Sequence, residues 1–189
     1  MPDTPRVRQI RSFAMGVLDG VLADRPDDLV ARRWKAMALS QTGRRPEAIR
    51  EVEAVLRVVP SYERALDECL SYAIPARDVR SALEVARRAV AIDPSSAAFH
   101  ERLAYASVHG RDWDTALRES RAALGIDPFL RFARMFLIQG LLHRGEAGPA
   151  SEEFATLIGL YPGLRESLER WFADERNRLA TGMGPGVHS

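Results

Sequence analysis

Four histidines and one cysteine are the residues of this 189-residue chain from which metal or nucleophilic chemistry would start. His109 and His143 stand 34 residues apart. On adjacent helices of ordinary packing their backbones would lie roughly 8 to 10 Å apart. Two imidazoles without a third ligand make a poor metal site, since zinc takes three or four protein ligands, and His100 and His188 add no ligand spacing. Cys69 is the single cysteine, which excludes an internal disulfide and a thiolate cluster. It falls in an apolar column with Leu103 and Leu137, where a buried small hydrophobe is expected rather than a nucleophile. The chain carries no phosphate-cradling glycine loop, no nucleophile elbow and no HExxH. Neither an enzyme nor a bound cofactor or metal is expected.

Charge and hydropathy narrow the classes further. Twenty-seven basic residues are set against 26 acidic ones, for a formal charge of +1, and no long block of one sign occurs. The bulk charge therefore leaves no electrostatic footprint for nucleic acid or a membrane surface. Arg6, Arg8 and Arg11 precede an apolar stretch, but Ser12, Gly16, Asp19 and Gly20 interrupt it, and the pattern is not that of a signal peptide. No apolar run is long enough to cross a bilayer. The expectation is a cytoplasmic chain with no membrane partner.

The elements that must position any functional residue come from an internal repeat. Pro26, Pro60, Pro94, Pro128 and Pro162 stand 34 residues apart, and Ala14, Ala48, Ala82, Ala116 and Ala150 keep the same spacing twelve positions earlier. A fixed period of this size marks stacked units, each burying one face only against its neighbour, so function belongs on an extended surface and not in a pit. Cut three residues after each proline, the chain yields four units, 29–62, 63–96, 97–130 and 131–164, each of two helices. In the third, Phe99, Leu103 and Ala104 recur at helical spacing and Gly110 and Asp112 interrupt them. Ala116, Leu117, Ala123, Leu124 and Ile126 resume the pattern before Asp127-Pro128. Gly43, Gly110 and Gly145 are expected to supply left-handed helix stops, Asp112 to cap the following helix, and proline to forbid continuation. In the second unit Ile74-Pro75-Ala76-Arg77-Asp78 makes the turn, which predicts a shortened first helix and Asp78 as the cap. The alanine column marks where the second helix of a unit crosses closely over the first. Leu56, Val90, Leu124 and Ile158, with Val58, Ile92, Ile126 and Leu160 two positions on, are expected in the core.

Two flanks complete the array. Residues 1–28 carry Ala14, Leu18, Val21, Leu22 and Pro26 in the register of a second helix, a half-repeat acting as N-terminal cap. Its apolar face, with Phe13 and Met15, either closes the array intramolecularly or receives a second chain, so homo-oligomerisation through it stays open. After Pro162, residues 165–180 form an amphipathic closing helix with Leu168, Trp171, Phe172 and Leu179 on one face and Glu166, Glu169, Arg170, Glu175 and Arg176 on the other. Residues 181–189 are glycine-rich, and disorder is expected there.

These residues resemble the tetratricopeptide repeat (TPR) family, whose 34-residue helix-turn-helix unit has tryptophan, leucine, glycine, tyrosine, alanine, phenylalanine, alanine and proline at set places. The alanine and proline columns match best, with Leu103, Ala104, Ala116, Ala123 and Pro128 in the third unit and Phe154 in the fourth. The early tryptophan is replaced by Arg32, Leu66, His100 and Arg134, the glycine by Ala36, Leu70, Ala104 and Ile138, and Lys35 stands where leucine is expected. The resemblance implies an all-α, right-handed α-α superhelix with terminal capping helices.

In that family, first-helix side chains not spent on the core line a concave face and meet a peptide. The matching positions are Arg33, Met37 and Gln41; Arg64, Asp67 and Ser71; Glu101, Tyr105 and His109; and Phe132, Met135, Gln139 and His143. Phe132, Met135 and Tyr105 would form an apolar anchor with Asp67 and Glu101 beside it, which points to a peptide or protein ligand bearing an apolar anchor and a nearby basic residue. A scaffold or adaptor is the leading reading. The lysine and asparagine clamp by which some TPR domains hold acidic chaperone tails has no counterpart, since Lys35 and Asn177 are the only residues of their types and neither is in those columns. An alternative is a nucleic-acid binder using Arg6, Arg8, Arg11, Arg32, Arg33, Arg44, Arg45 and Arg50; the neutral total and the lack of regularly placed stacking aromatics disfavour it. A recruiting subunit of an enzyme or secretion complex is a further alternative.

Overall fold

The computed structural model describes residues 4–181, the side chains of residues 7 and 8 apart. The expected disordered tail and His188 thus lie outside the described residues, save Thr181, which ends the last helix. Among the described residues ten α-helices follow one another: α1 Pro5–Asp24, α2 Leu29–Gln41, α3 Arg45–Val58, α4 Glu63–Ala73, α5 Val79–Ile92, α6 Ala97–Gly110, α7 Trp113–Ile126, α8 Arg131–His143, α9 Ala147–Leu160 and α10 Arg165–Thr181. A 3-10 turn, Pro162–Leu164, precedes α10, and there is no strand among the described residues. The backbone divides into two compact units, Met1–Val85 and Ala86–Ser189.

One turn recurs four times. Gly43, Arg77, Arg111 and Gly145, spaced by the repeat, are left-handed with φ between 58° and 80°. In each, the next residue's N–H reaches back over the helix end: Arg44 to Leu39 O, Asp78 to Ala73 O, Asp112 to Ser107 O and Glu146 to Leu141 O, all at 2.9 Å. This six-to-one bond closes the last helical turn. It corrects the expectation for Gly110, which stays helical as the last residue of α6 while Arg111 adopts the left-handed conformation. The repeat register overrides glycine's preference, because position 111, not 110, corresponds to 43 and 145. The expected caps form: Asp112 accepts from Thr115 N at 3.2 Å, and Asp78 from Ser81 N at 3.2 Å. α4 is short, 11 residues, as Pro75 requires.

The alanine column is fully buried at Ala48, Ala82, Ala116 and Ala150, and Cys69 is buried as expected. Val58, Ile92, Ile126 and Leu160 are exposed, against expectation. Each is the last residue of its helix, and at 100° per residue it lies about 200° round from the residue two positions earlier, of which Leu56 is buried and Val90, Leu124 and Ile158 are half-buried. In Ala86–Ser189 the core gathers Leu117, Leu137, Ile138, Leu141, Ala150, Leu157, Leu168 and Trp171. Phe172 of α10 stacks on Phe154 of α9 at 4.3 Å. Glu175, read as part of the polar face of α10, is instead buried and accepts from Arg178 Nη1 at 2.7 Å.

Where the repeat replaces its aromatic residue, a polar clasp takes over. Arg32 donates from Nε to Pro26 O at 2.9 Å and from Nη1 to Glu51 at 2.8 Å. His100 faces Pro94 O at 3.0 Å with Nε2 and Glu119 Oε2 at 2.7 Å with Nδ1. Arg134 donates to Pro128 O at 3.0 Å and pairs with Glu153. A two-way polar side chain on the first helix thus ties the preceding proline turn to a glutamate on the second. The second repeat alone substitutes both partners, with buried Leu66 and Val85 in the two places. Lys35 of α2 is held between Asp19 at 2.8 Å and Glu51 at 3.1 Å. Its hydrogen bond to Asp19 raises its pKa against the opposing effect of burial. That pairing accommodates a cation where leucine is expected.

Candidate partner-binding surface

The first helix of each pair carries the candidate residues, and the structure sorts them by what they already touch. In Met1–Val85, Arg33 forks onto Glu68, with Nε at 2.9 Å from Oε2, and donates from Nη1 to Tyr62 OH at 2.9 Å. Its guanidinium also lies 5.2 Å from the centre of the Tyr62 ring. The bond to Glu68 raises its pKa, so this charge is committed to holding α2 against α4. Arg64 is exposed at 3.5 Å from the same Glu68. Met37 and Asp67 are exposed.

In Ala86–Ser189 the candidates form a partly ordered aromatic surface. Tyr105 meets His109 edge to face at 4.6 Å and leans on Phe136 at 5.6 Å. Burial raises the Tyr105 pKa. Glu101 accepts from Ala133 N at 3.0 Å and so caps α8, whose N-cap residue Leu130 supplies no side-chain bond. Phe132, 49% exposed, lies under the Arg131 guanidinium at 4.5 Å. Met135 packs against the core cluster, and Gln139 is 3% exposed, which leaves it little surface to offer. Gly140 lets α8 close on α7, for a Cβ there would sit 2.8 Å from Leu117 Cδ2. His109 and His143 engage different rings: His143 stacks on Trp113 at 3.7 Å, and burial, aided by Arg111, lowers its pKa. No group of three or more metal-ligating side chains forms among the described residues.

No protein-family model matches the sequence, and no curated protein matches it. Solved structures do. MamA from Desulfovibrio magneticus RS-1 is 18% identical, with a TM-score of 0.66 over 82% of this chain and 88% of that one. YrrB, described as a TPR protein with an unusual peptide-binding site, is 16% identical, with a TM-score of 0.65 over 83% of this chain and 81% of that one. A thermophilic TPR protein from Thermus thermophilus is 18% identical, with a TM-score of 0.63 over 90% of this chain and 92% of that one. The fold is that of the tetratricopeptide repeat.

On the TPR solenoid, three residues outside the sequence-derived set become visible. Trp34 is 56% exposed and Val30 63% exposed on α2, beside Met37. Phe136 supplies the surface against which Tyr105 rests. Trp34, Glu68, Arg102 and Phe136 share one place in the 34-residue period, next to the place of Arg33, Asp67, Glu101 and Met135. Extending the ligand-facing set by that one column would have found Trp34 and Phe136. Among the eight arginines of the nucleic-acid alternative, Arg32, Arg33 and Arg44 are paired with Glu51, Glu68 and Glu47. No helix among the described residues is long and apolar enough to cross a membrane.

Proposed function

We propose that this chain is a non-enzymatic, cytoplasmic TPR adaptor that receives a protein or peptide along the first-helix surfaces of its four repeats, 29–62, 63–96, 97–130 and 131–164. The observation that carries the reading is the aromatic group of α6 and α8, where Tyr105 is braced by His109 and Phe136 and Phe132 remains half exposed under Arg131. Braced aromatics lose little side-chain entropy on binding and are the commonest interface anchors. Glu101, whose carboxylate caps α8, sets negative charge on the same pair of helices. The ligand on this reading is an apolar anchor residue followed or preceded by Lys or Arg. YrrB, a peptide-binding protein of the same fold, supports the class of ligand but not its identity.

The test is affinity capture followed by titration. Tyr105→Ala and Phe132→Ala should each weaken a captured partner by about 2 kcal/mol, or some thirtyfold. Retention of every partner by the double variant, with its melting unchanged, would reject this surface.

A further inference from the structure

A different part of the molecule presents an apolar seam. On α1, Arg6, Ile10, Phe13, Val17, Gly20 and Asp24 follow one another at spacings of four, three, four, three and four, and so fall on one face of the helix. All six are exposed, Ile10 at 60%, Phe13 at 75% and Val17 at 50%. The half-buried residues of α1 are others, Ala14, Met15, Leu18, Val21 and Leu22 among them, and α1 packs on α2. Ile10, Phe13 and Val17 in a row are therefore left exposed by the packing among the described residues.

We propose that this face is the interface with a second copy of the chain, in which two α1 helices pair antiparallel. The spacing reads the same in both directions, with its midpoint at position 15. An antiparallel pair sets Phe13 against Val17, Ile10 against Gly20 and Arg6 against Asp24 of the second copy, and each contact occurs twice about the two-fold axis. Every layer is complementary: large against small at the core, base against acid at the ends.

Two further observations favour this occupant. Gly20 weakens a helix interior, yet a Cβ there would meet nothing within 4 Å, so packing inside the chain does not call for glycine. In the antiparallel pair Gly20 would face Ile10, where a missing side chain leaves room, although Gly16, off the seam, is equally uncrowded. The charges of α1 also run against its dipole, with no acid in the first turn and no base in the last. Arg6 lies at the positive end and Asp24 at the negative end, an order that disfavours a lone helix and that an antiparallel partner compensates. The other copy's α10 is a poor occupant. Its exposed residues include Ser167, Arg170, Asp174 and Arg176, a charged surface with no apolar row to meet Phe13.

Sedimentation equilibrium of the full chain should show a mass rising with concentration to that of two chains and no further. Phe13→Glu, at a site outside the chain's own core, should abolish the association while leaving the helical circular dichroism and melting unchanged. Arg6→Asp or Asp24→Arg alone should weaken association roughly tenfold, through repulsion at both ends of the seam. Both changes in one chain should restore it. A single-chain mass at every concentration overturns the proposal, as does growth beyond two chains or a dimer that survives Phe13→Glu. Failure of the double reversal to recover association overturns the antiparallel register.

Discussion

Leu66 and Val85 hold in the second repeat the places that His100 and Glu119 hold in the third, so one packing task is met by opposite chemistries. The apolar pair is buried and makes no directional demand. The polar pair is equally buried but joins three elements, since His100 also reaches the carbonyl of Pro94. The two ring nitrogens face two oxygens, so the imidazole spans the same gap as the guanidinium in Arg32 and Arg134. The difference teaches that the aromatic place of this fold takes either an apolar side chain or a two-way polar group, and that the residue 19 positions on changes in kind with it. Arg32 comes with Glu51, His100 with Glu119, Arg134 with Glu153, and Leu66 with Val85.

Breaking each pair should expose the contrast. Leu66→Ala leaves a void in a site that is 2% exposed and should lower stability by about 2 to 5 kcal/mol in chemical denaturation. His100→Leu should lower it by about 1 to 3 kcal/mol, because buried Glu119 loses its bond to the ring and, among the described residues, keeps its bond from Arg118 Nε at 2.9 Å. Adding Glu119→Val to that variant should recover most of the loss, as removing both members of a buried polar pair is far milder than removing one. If the double variant is no more stable than His100→Leu, the two residues are not coupled and the contrast with Leu66 and Val85 dissolves.

The paired substitutions were present in the sequence, 19 residues apart in every repeat, yet the period alone does not reveal them. Helix existence, the alanine crossings and the Asp78 and Asp112 caps could be read directly, because each depends on residues within one turn or one period. Val58, Ile92, Ile126 and Leu160 could not be placed by hydropathy and period alone, because they repeat as regularly as core residues; helical phase separates them, each lying about 200° from the residue two positions earlier. Arg33 shows the corresponding limit for the candidate surface. It occupies a ligand-facing place, but its charge is taken by Glu68, 35 residues on, a pairing set by how closely α4 approaches α2. Trp34 and Phe136 were legible as one column beside the ligand-facing set, but the column does not tell that Phe136 meets Tyr105 whereas Trp34 stays exposed.

The second and third repeats agree in one respect, an arginine in the left-handed turn where the first and fourth use glycine. Arg77→Gly and Arg111→Gly should each raise stability by about 1 kcal/mol, the penalty a side chain adds in that conformation. Unequal gains would show that one arginine has a compensating role. Arg111 is the candidate for inequality, because its charge helps to lower the pKa of His143. That shift gives the smallest effect. With the folded pKa below its ordinary value of 6.5, the unfolded chain binds more protons between the two values, so stability rises with pH across that window and falls as acid is added below 6.5. His143→Gln should flatten this part of the stability profile, and Arg111→Gly should shallow it. An unchanged slope in His143→Gln would assign the acid sensitivity to another group and leave the stacking on Trp113 as the only consequence of that histidine's place.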